Sequence, residues 1–350
     1  CFMILQSCWQ QPIWRKLELF LSPILALPHV AFAIGFAFIF SPSGFIARIF
    51  AQFIDNFSAS DWSLINDPYA LGLLLALTLK EIPFLLFMSI ALLKQLNLEK
   101  TMITGRSLGY SPAQVWQKIV FPQWLPKIRF SLFAIAAYSI SVVDVALVLG
   151  PTQPPTLPVL VWQWLNDADL ATLPKASAGA VLLLVLCVFV LALLRAIEWL
   201  LISRLRQWQT QGRFAFPITG KPLLAVICSI TFIITPLLLL WSIAQRWRFP
   251  DWLPSQFSLR FWQQEWNYLY DIICTSTLIA LLSASLALLF AIVIHEHNNG
   301  SHKAVSKIKI PKLIILIPML APQLSLLFGI QVATLLTNSS AHLLWVIWAH

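Results

Sequence analysis

Apolar runs of about 20 residues recur along this chain, and few charges interrupt them. A helix needs roughly 20 apolar residues to cross ~30 Å of hydrocarbon. Of the 350 residues, 59% are hydrophobic and 11% are charged, against roughly 25% charged in a soluble domain. So little charge cannot cover a water-facing surface, and most of the surface must face lipid. A transmembrane β-barrel would be built from alternating segments of ~10 residues, and these runs do not alternate. The reading is an all-α polytopic membrane protein. Its spans lie near 21–40, 69–93, 130–150, 177–202, 222–244, 269–294 and 313–337, with an incomplete one from 341. Ten residues of helix reach only ~15 Å, and the chain begins with Cys1. The expectation is therefore a piece of a longer protein, truncated at both ends.

The net charge of +9 sorts by side of the membrane. Residues 1–20, 94–129, 203–221 and 295–312 hold 16 Lys/Arg and three acids. The intervening loops 41–68, 151–176 and 245–268 hold five Lys/Arg and seven acids. The positive-inside rule puts the first set in the cytoplasm. Charge then reports orientation in a cell membrane with lipid as its neighbour, and it gives no support to a nucleic-acid partner. Three of the five cysteines fall in apolar spans and none forms a Cys-x-x-Cys pair. They read as small packing residues. His295 and His297 stand two apart, on different faces of a helix, a poor metal arrangement.

A weak internal repeat is visible. Pro28 and Gly35 stand seven apart, as do Pro322 and Gly329, at an offset of 294. Both pairs lie in spans running from inside to outside. Copies of like orientation form a parallel repeat, which needs an even number of spans per copy, and six fits. The expected organisation is 1–202 as the last four spans of one copy, 203–221 as a cytoplasmic linker, and 222–350 as the first four spans of the next. The linker carries Arg204, Arg206, Arg213 and Lys221 among Gly212, Pro217 and Gly220, a basic, turn-rich composition.

The loop at 98–122 is the most informative stretch. Gly109 follows a helical run and suits a left-handed position just past a helix end. Ser111 suits an N-cap, Pro112 the first helical position, and Gln114 completes a capping box. Val115, Trp116, Ile119 and Val120 recur at helical spacing, and Pro122 is expected to end that helix. The result is a short helix, a glycine hinge and a second short helix, with Lys100, Arg106 and Lys118 on the cytoplasmic face. Such a pair serves equally well as a packed connector or as a docking element.

The stretch resembles the cytoplasmic loop of binding-protein-dependent ABC importer permeases. Their pattern is Glu-Ala-Ala, three residues, Gly, nine residues, Ile, one residue, Leu-Pro. Gly109, Ile119 and Pro122 keep that spacing, Phe121 takes the Leu place, and Ile103-Thr104-Gly105 replaces Glu-Ala-Ala. Further likeness lies in Leu27-Pro28-His29-Val30-Ala31, Leu77-Thr78-Leu79-Lys80-Glu81, Ser141-Val142-Val143-Asp144 and Leu149-Gly150-Pro151. It is strongest over about 20–165, and the group concerned is allied to thiamine, ferric-iron and sulfate permeases. The resemblance implies a tandem pair of six-span permease units in a bacterial inner membrane, acting with a cytoplasmic ATP-binding subunit dimer and a periplasmic substrate-binding protein. Arg106, Gly109, Ser111, Pro112, Ile119 and Pro122 become the expected ATPase-coupling residues. The chain has no Gly-x-x-x-x-Gly-Lys-Ser/Thr phosphate loop. The expectation is that ATP binds a partner, with no cofactor on this chain.

Ionisable groups at membrane depth are costly and are candidates for function. Lys80, Glu81 and Asp144 lie within expected spans. They are read as a translocation path or as a buried pair, Lys80 with Asp144, that sets helix register. Glu198 and Arg195 lie nearer the inner end, where long side chains snorkel. The aromatics of 245–268 read as an interfacial belt. No catalytic constellation emerges, so the chain reads as a transport subunit. A secondary transporter driven by an ion gradient is the competing class, since it too would use buried charges.

Overall fold

The computed structural model describes residues 1–9, 24–54, 64–210, 214–216, 219–299, 322 and 325–330. The expected spans at 313–337 and from 341 otherwise lie outside the described residues. Helices α1 (Phe2–Cys8), α2 (His29–Phe40), α3 (Phe45–Phe53), α4 (Leu71–Gln95) and α5 (Leu98–Ser107) come first. A short helix α6 (Pro112–Val115) then runs through a π turn (Trp116–Val120) into α7 (Phe121–Ser141). After these come α8 (Asp144–Leu149), α9 (Leu157–Leu165), α10 (Leu173–Thr210), α11 (Lys221–Ile243), a small hairpin β1 (Ala244–Arg246) with β2 (Gln256–Phe257), and α12 (Arg260–Asn299). Among the described residues five stretches are long and apolar enough to cross a membrane: His29–Phe53, Leu71–Gln95, Leu173–Arg204, Lys221–Ile243 and Arg260–Ile294.

The span expected at 130–150 is not one helix. α7 stops at Ser141, Val142 is extended (φ −65°, ψ 128°), and α8 begins at Asp144. Ser141 Oγ donates to the Ala137 and Tyr138 carbonyls at 2.8 and 3.3 Å. Of these, the Tyr138 carbonyl is one that the helix end leaves free, and the serine bonds back to it. The β-branched pair Val142-Val143 favours leaving the helix, and Val142 is buried. The far end of α8 is tied down by Asn66, whose N–H donates to the Leu149 carbonyl at 3.1 Å. Asp67 caps the start of α4 through Leu71 N (2.8 Å) and Gly72 N (3.0 Å).

Two buried clusters hold the bundle. At the basic end, Leu86, Ile90 and Leu93 of α4 meet Leu98, Met102, Val115 and Trp116, with Ile4 and Leu5 of α1 and Leu224 and Ile227 of α11. At the other end, Phe32 and Phe36 of α2 pack with Leu73 and Leu77 of α4, Val145 and Leu149 of α8, and Ile234 and Leu237 of α11. α11 thus belongs to both clusters. It approaches α2 so closely that a Cβ at Gly35 would stand 2.4 Å from Ile234 Cγ2. Small residues at helix crossings are the usual means of close packing in lipid, where burying apolar surface gains nothing.

α10 carries Ala176, Ala180, Leu183 and Cys187 on its buried stripe, while Val181, Val185 and Phe189 are exposed. That outward apolar face suits lipid contact. α10 also continues to Thr210, so the first part of the expected linker is helical. In α12 none of the span is buried among the described residues.

Two expectations about the outer loops change. Arg48, counted as a loop charge, is buried. Its Nε donates to Ser43 O (2.9 Å), and its Nη1 donates to Arg248 O (2.8 Å) and Asp251 O (2.6 Å). The guanidinium also lies 4.9 Å from the Trp247 ring centre. Trp247 therefore serves an internal cation–π contact rather than the interfacial belt. Trp252, Phe257, Phe261, Trp262 and Trp266 are exposed, as a belt requires.

Candidate functional site

The loop at 98–122 folds as its residues dictate. Gly109 takes φ 80°, a left-handed conformation that costs glycine nothing. Gly109 N donates to Arg106 O (2.9 Å) and Tyr110 N to Gly105 O (3.0 Å), the paired bonds of a Schellman motif. Ser111 and Gln114 form the expected capping box: Gln114 N donates to Ser111 Oγ (3.4 Å), and Ser111 N donates to Gln114 Oε1 (2.7 Å). Pro112 is at the first helical position. Gly105 lies beneath the second helix, where a Cβ would meet Val115 Cγ2 at 2.4 Å. A small residue is required there for the two helices to cross.

Pro122 does not end the second helix. It occupies the first turn of α7, and the chain passes through the π turn, where Phe121 N donates to Trp116 O. A proline removes one backbone donor and crowds the carbonyl four residues back. The wider π turn accommodates both, and such turns are frequent at functional sites. Trp116 and Val120 point into the basic-end cluster, and Ile119 packs against it. Arg106, Gly109, Ser111 and Pro112 are exposed, as are Ile103 and Leu108. Of the six expected coupling residues, four lie on the surface, and Ile119 and Pro122 support them from below. Lys118 departs from expectation: it is buried, and Nζ donates to Trp208 O at 3.0 Å.

The intramembrane charges sort differently from the expected Lys80–Asp144 pair. Lys80 is buried, and Nζ donates to the carbonyls of Ile24 (2.9 Å) and Leu27 (2.6 Å). These carbonyls sit just before Pro28, which supplies no backbone N–H. The ammonium, with three N–H donors, satisfies both carbonyls. Glu81 instead meets His29, Nε2 to Oε1 at 3.0 Å. The His29 ring lies 4.8 Å from that of Tyr138. Asp144 is exposed. A cavity of about 340 Å³ opens beside Glu81, lined also by Tyr69, Leu77, Thr78, Ile135 and Ser139.

Glu198 does not snorkel. It is buried on α10, and both its oxygens accept from Arg129 of α7, Nε and Nη2, each at 2.6 Å. Arg195 Nη1 adds a third contact at 3.0 Å. Arg129 lies next to a proline-rich loop end and reads as one more inner positive charge; nothing in the sequence signals its partner. Bidentate pairing of this kind is the strongest side-chain contact available to a carboxylate.

Comparison with known proteins gives one curated relative. It is the inner membrane ABC transporter permease protein YnjC of Escherichia coli (strain K12), 35% identical over 184 residues. The match takes in 53% of this chain and 34% of the relative, so the chain spans about a third of that protein. No family model matches the chain, and no solved structure does. The likeness, together with helices able to cross a bilayer, supports kinship with ABC permeases and a multi-pass inner-membrane location.

Proposed function

We propose that this chain is the membrane-embedded subunit of an ABC transporter, working as an importer of a small solute. ATP is hydrolysed by a separate cytoplasmic subunit dimer, and a periplasmic binding protein delivers the solute. The observation that carries this reading is the loop at 98–122. Its two helices are fixed to each other at Gly105 and Gly109, and to the bundle through Trp116. They still present Ile103, Arg106 and Leu108 outward. A rigid knob with an apolar, basic tip on a cytoplasmic loop is what a moving partner needs to push on. Ile103 stands where the family carries a glutamate, so docking here relies on apolar contact and Arg106 rather than on a carboxylate. Glu81, with Thr78 and Ser139 around its cavity, is the proposed polar part of the path. Asp144 at the helix break is proposed to face the same route, and Lys80 fixes the helix that carries Glu81.

The test is recovery of the ATP-binding subunit. The tagged chain, purified from native membranes and treated with 8-azido-ATP, is expected to bring down a labelled soluble partner while remaining unlabelled itself. Ile103→Asp with Leu108→Asp is expected to cut that recovery by about tenfold, as loss of a central apolar anchor does, with membrane insertion unchanged. Full recovery in the double variant would remove the docking role. Absence of any labelled partner, with uptake that survives ATP depletion and follows the proton gradient, would favour the ion-driven class.

Cavity chemistry supplies a second expectation. Glu81→Gln keeps the hydrogen bond to His29 but removes the charge from the cavity wall. Solute uptake is expected to fall by about tenfold or more while the partner still co-purifies. Unchanged uptake would take Glu81 out of the path.

A further inference from the structure

Three attachments fasten Trp208, Phe216 and Gly220 to the basic end of the bundle. The Gln117 side chain is buried in the π turn. Its amide pairs with both backbone groups of Phe216: Phe216 N donates to Oε1 (3.0 Å), and Nε2 donates to Phe216 O (2.6 Å). This is one rung of a sheet made by a side chain. It satisfies a backbone that has no regular partner of its own. Gln6 Oε1 also accepts from Nε2 at 3.3 Å. Next to it, Lys118 Nζ donates to Trp208 O (3.0 Å) and lies 5.1 Å from the centre of that tryptophan's ring. At the far end, Gly220 N donates to Ser7 Oγ at 2.6 Å. α11 starts at the next residue, with Leu224 N bonded to Gly220 O.

We infer that Gln117 and Lys118 are positioning residues that clamp Phe216 and Trp208 to the loop, so that the loop and α11 move as one body. The inference rests on the coupling reading of the loop and deepens it. The knob that a partner pushes is continuous, through the π turn, with two buried polar side chains. Those side chains hold Trp208 and Phe216, the latter five residues before α11 begins. α11 in turn packs on α2 at Gly35 and ends at the hairpin gripped by Arg48. Movement of the loop would therefore reach a span more than 100 residues later in the chain without passing through α7–α10. A polar clamp suits this task because the Gln117 and Lys118 side chains are buried. Slipping would leave buried groups unpaired, so the joint has one arrangement and not a continuum.

The test uses spin labels at Glu99, at the start of α5 and outside the docking residues, and at Lys221, both exposed, with the five cysteines of this chain replaced. Electron–electron distances are measured in nanodiscs, without nucleotide and with ATP trapped by vanadate on the co-purified partner. The wild-type distribution is expected to be narrow and the same in both states. Gln117→Leu with Lys118→Met is expected to broaden it about twofold, as local opening of a fastened segment would. Lys118→Arg keeps the cation and is expected to retain the narrow distribution, which separates loss of the clamp from misfolding. A double variant with the wild-type distribution would overturn the clamp, and so would a wild-type distance that shifts on trapping. Failure to recover a nucleotide-binding partner would overturn the functional reading instead. The nucleotide-free comparison would still decide the clamp.

Discussion

Glu198→Leu is expected to destabilise the protein by about 1.5–3 kcal/mol, the scale of lost hydrogen bonds to a charged group. The wild-type carboxylate holds Arg129 with two 2.6 Å bonds and Arg195 with one at 3.0 Å. The pocket around it is otherwise apolar, lined by Leu125, Leu132, Phe133, Leu194, Ile197 and Leu201. Leucine would leave two guanidinium groups beside those side chains with no countercharge. Arg195 is half exposed and can swing toward the headgroups. Arg129 is less exposed, and it lies within the α7–α10 contact. The damage should therefore follow Arg129. Glu198→Leu combined with Arg129→Leu is expected to recover more than half of the loss, because a well-packed apolar pair can replace a buried ion pair at little cost. Thermal denaturation in detergent, read by size-exclusion fluorescence, measures both. A single variant that melts with the wild type would mean that water or lipid headgroups already solvate the cluster.

Gly105→Val is expected to separate the two helices of the loop. The first added carbon would stand 2.4 Å from Val115 Cγ2, far inside contact distance. Val115 cannot yield, since it is fully buried among Leu98, Met102 and Leu93. Overpacking of this kind costs about 1–3 kcal/mol. Its main effect would be geometric, because Ile103 and Arg106 are on the helix that must move away. Recovery of the ATP-binding partner is expected to fall by about tenfold or more, since docking depends on a few anchors held in place. Trypsin should then cut at Arg106 sooner than in wild type. Gly105→Ala with Val115→Ala adds one methyl group and removes two, which relieves the clash, and it is expected to restore both readouts. Unimpaired recovery in Gly105→Val would show that the partner does not read the relative position of the two helices.

Much of the local structure was legible in the residues. Ser111, Pro112 and Gln114 announced a helix start, and Gly109 announced a helix end, because caps are satisfied by neighbours in sequence. The break after Ser141 had a signal that is plain in hindsight: a serine able to bond back to the preceding turn, followed by two β-branched residues. The π turn had a weaker one in Pro122, whose missing N–H demands some local adjustment. Lys80 was recognised as unusual, but its partners are backbone carbonyls, which carry no residue identity. Arg48, Gln117 and Lys118 are ordinary polar residues in the sequence until tertiary contacts bury them, and Arg129 is one until packing brings Glu198 to it.

The sequence by itself determined the solvent of this protein, the approximate length and place of most of its described spans, and the shape of its charged loop. Hydropathy, side-to-side charge bias and capping are properties of a residue and its near neighbours. Only the tertiary structure decided which polar groups meet: Glu81 with His29, Glu198 with Arg129, Lys80 with two carbonyls, and Gln117 with the backbone of Phe216. A charge taken out of water accepts whatever partner packing brings within about 3 Å, and that choice depends on how whole helices cross.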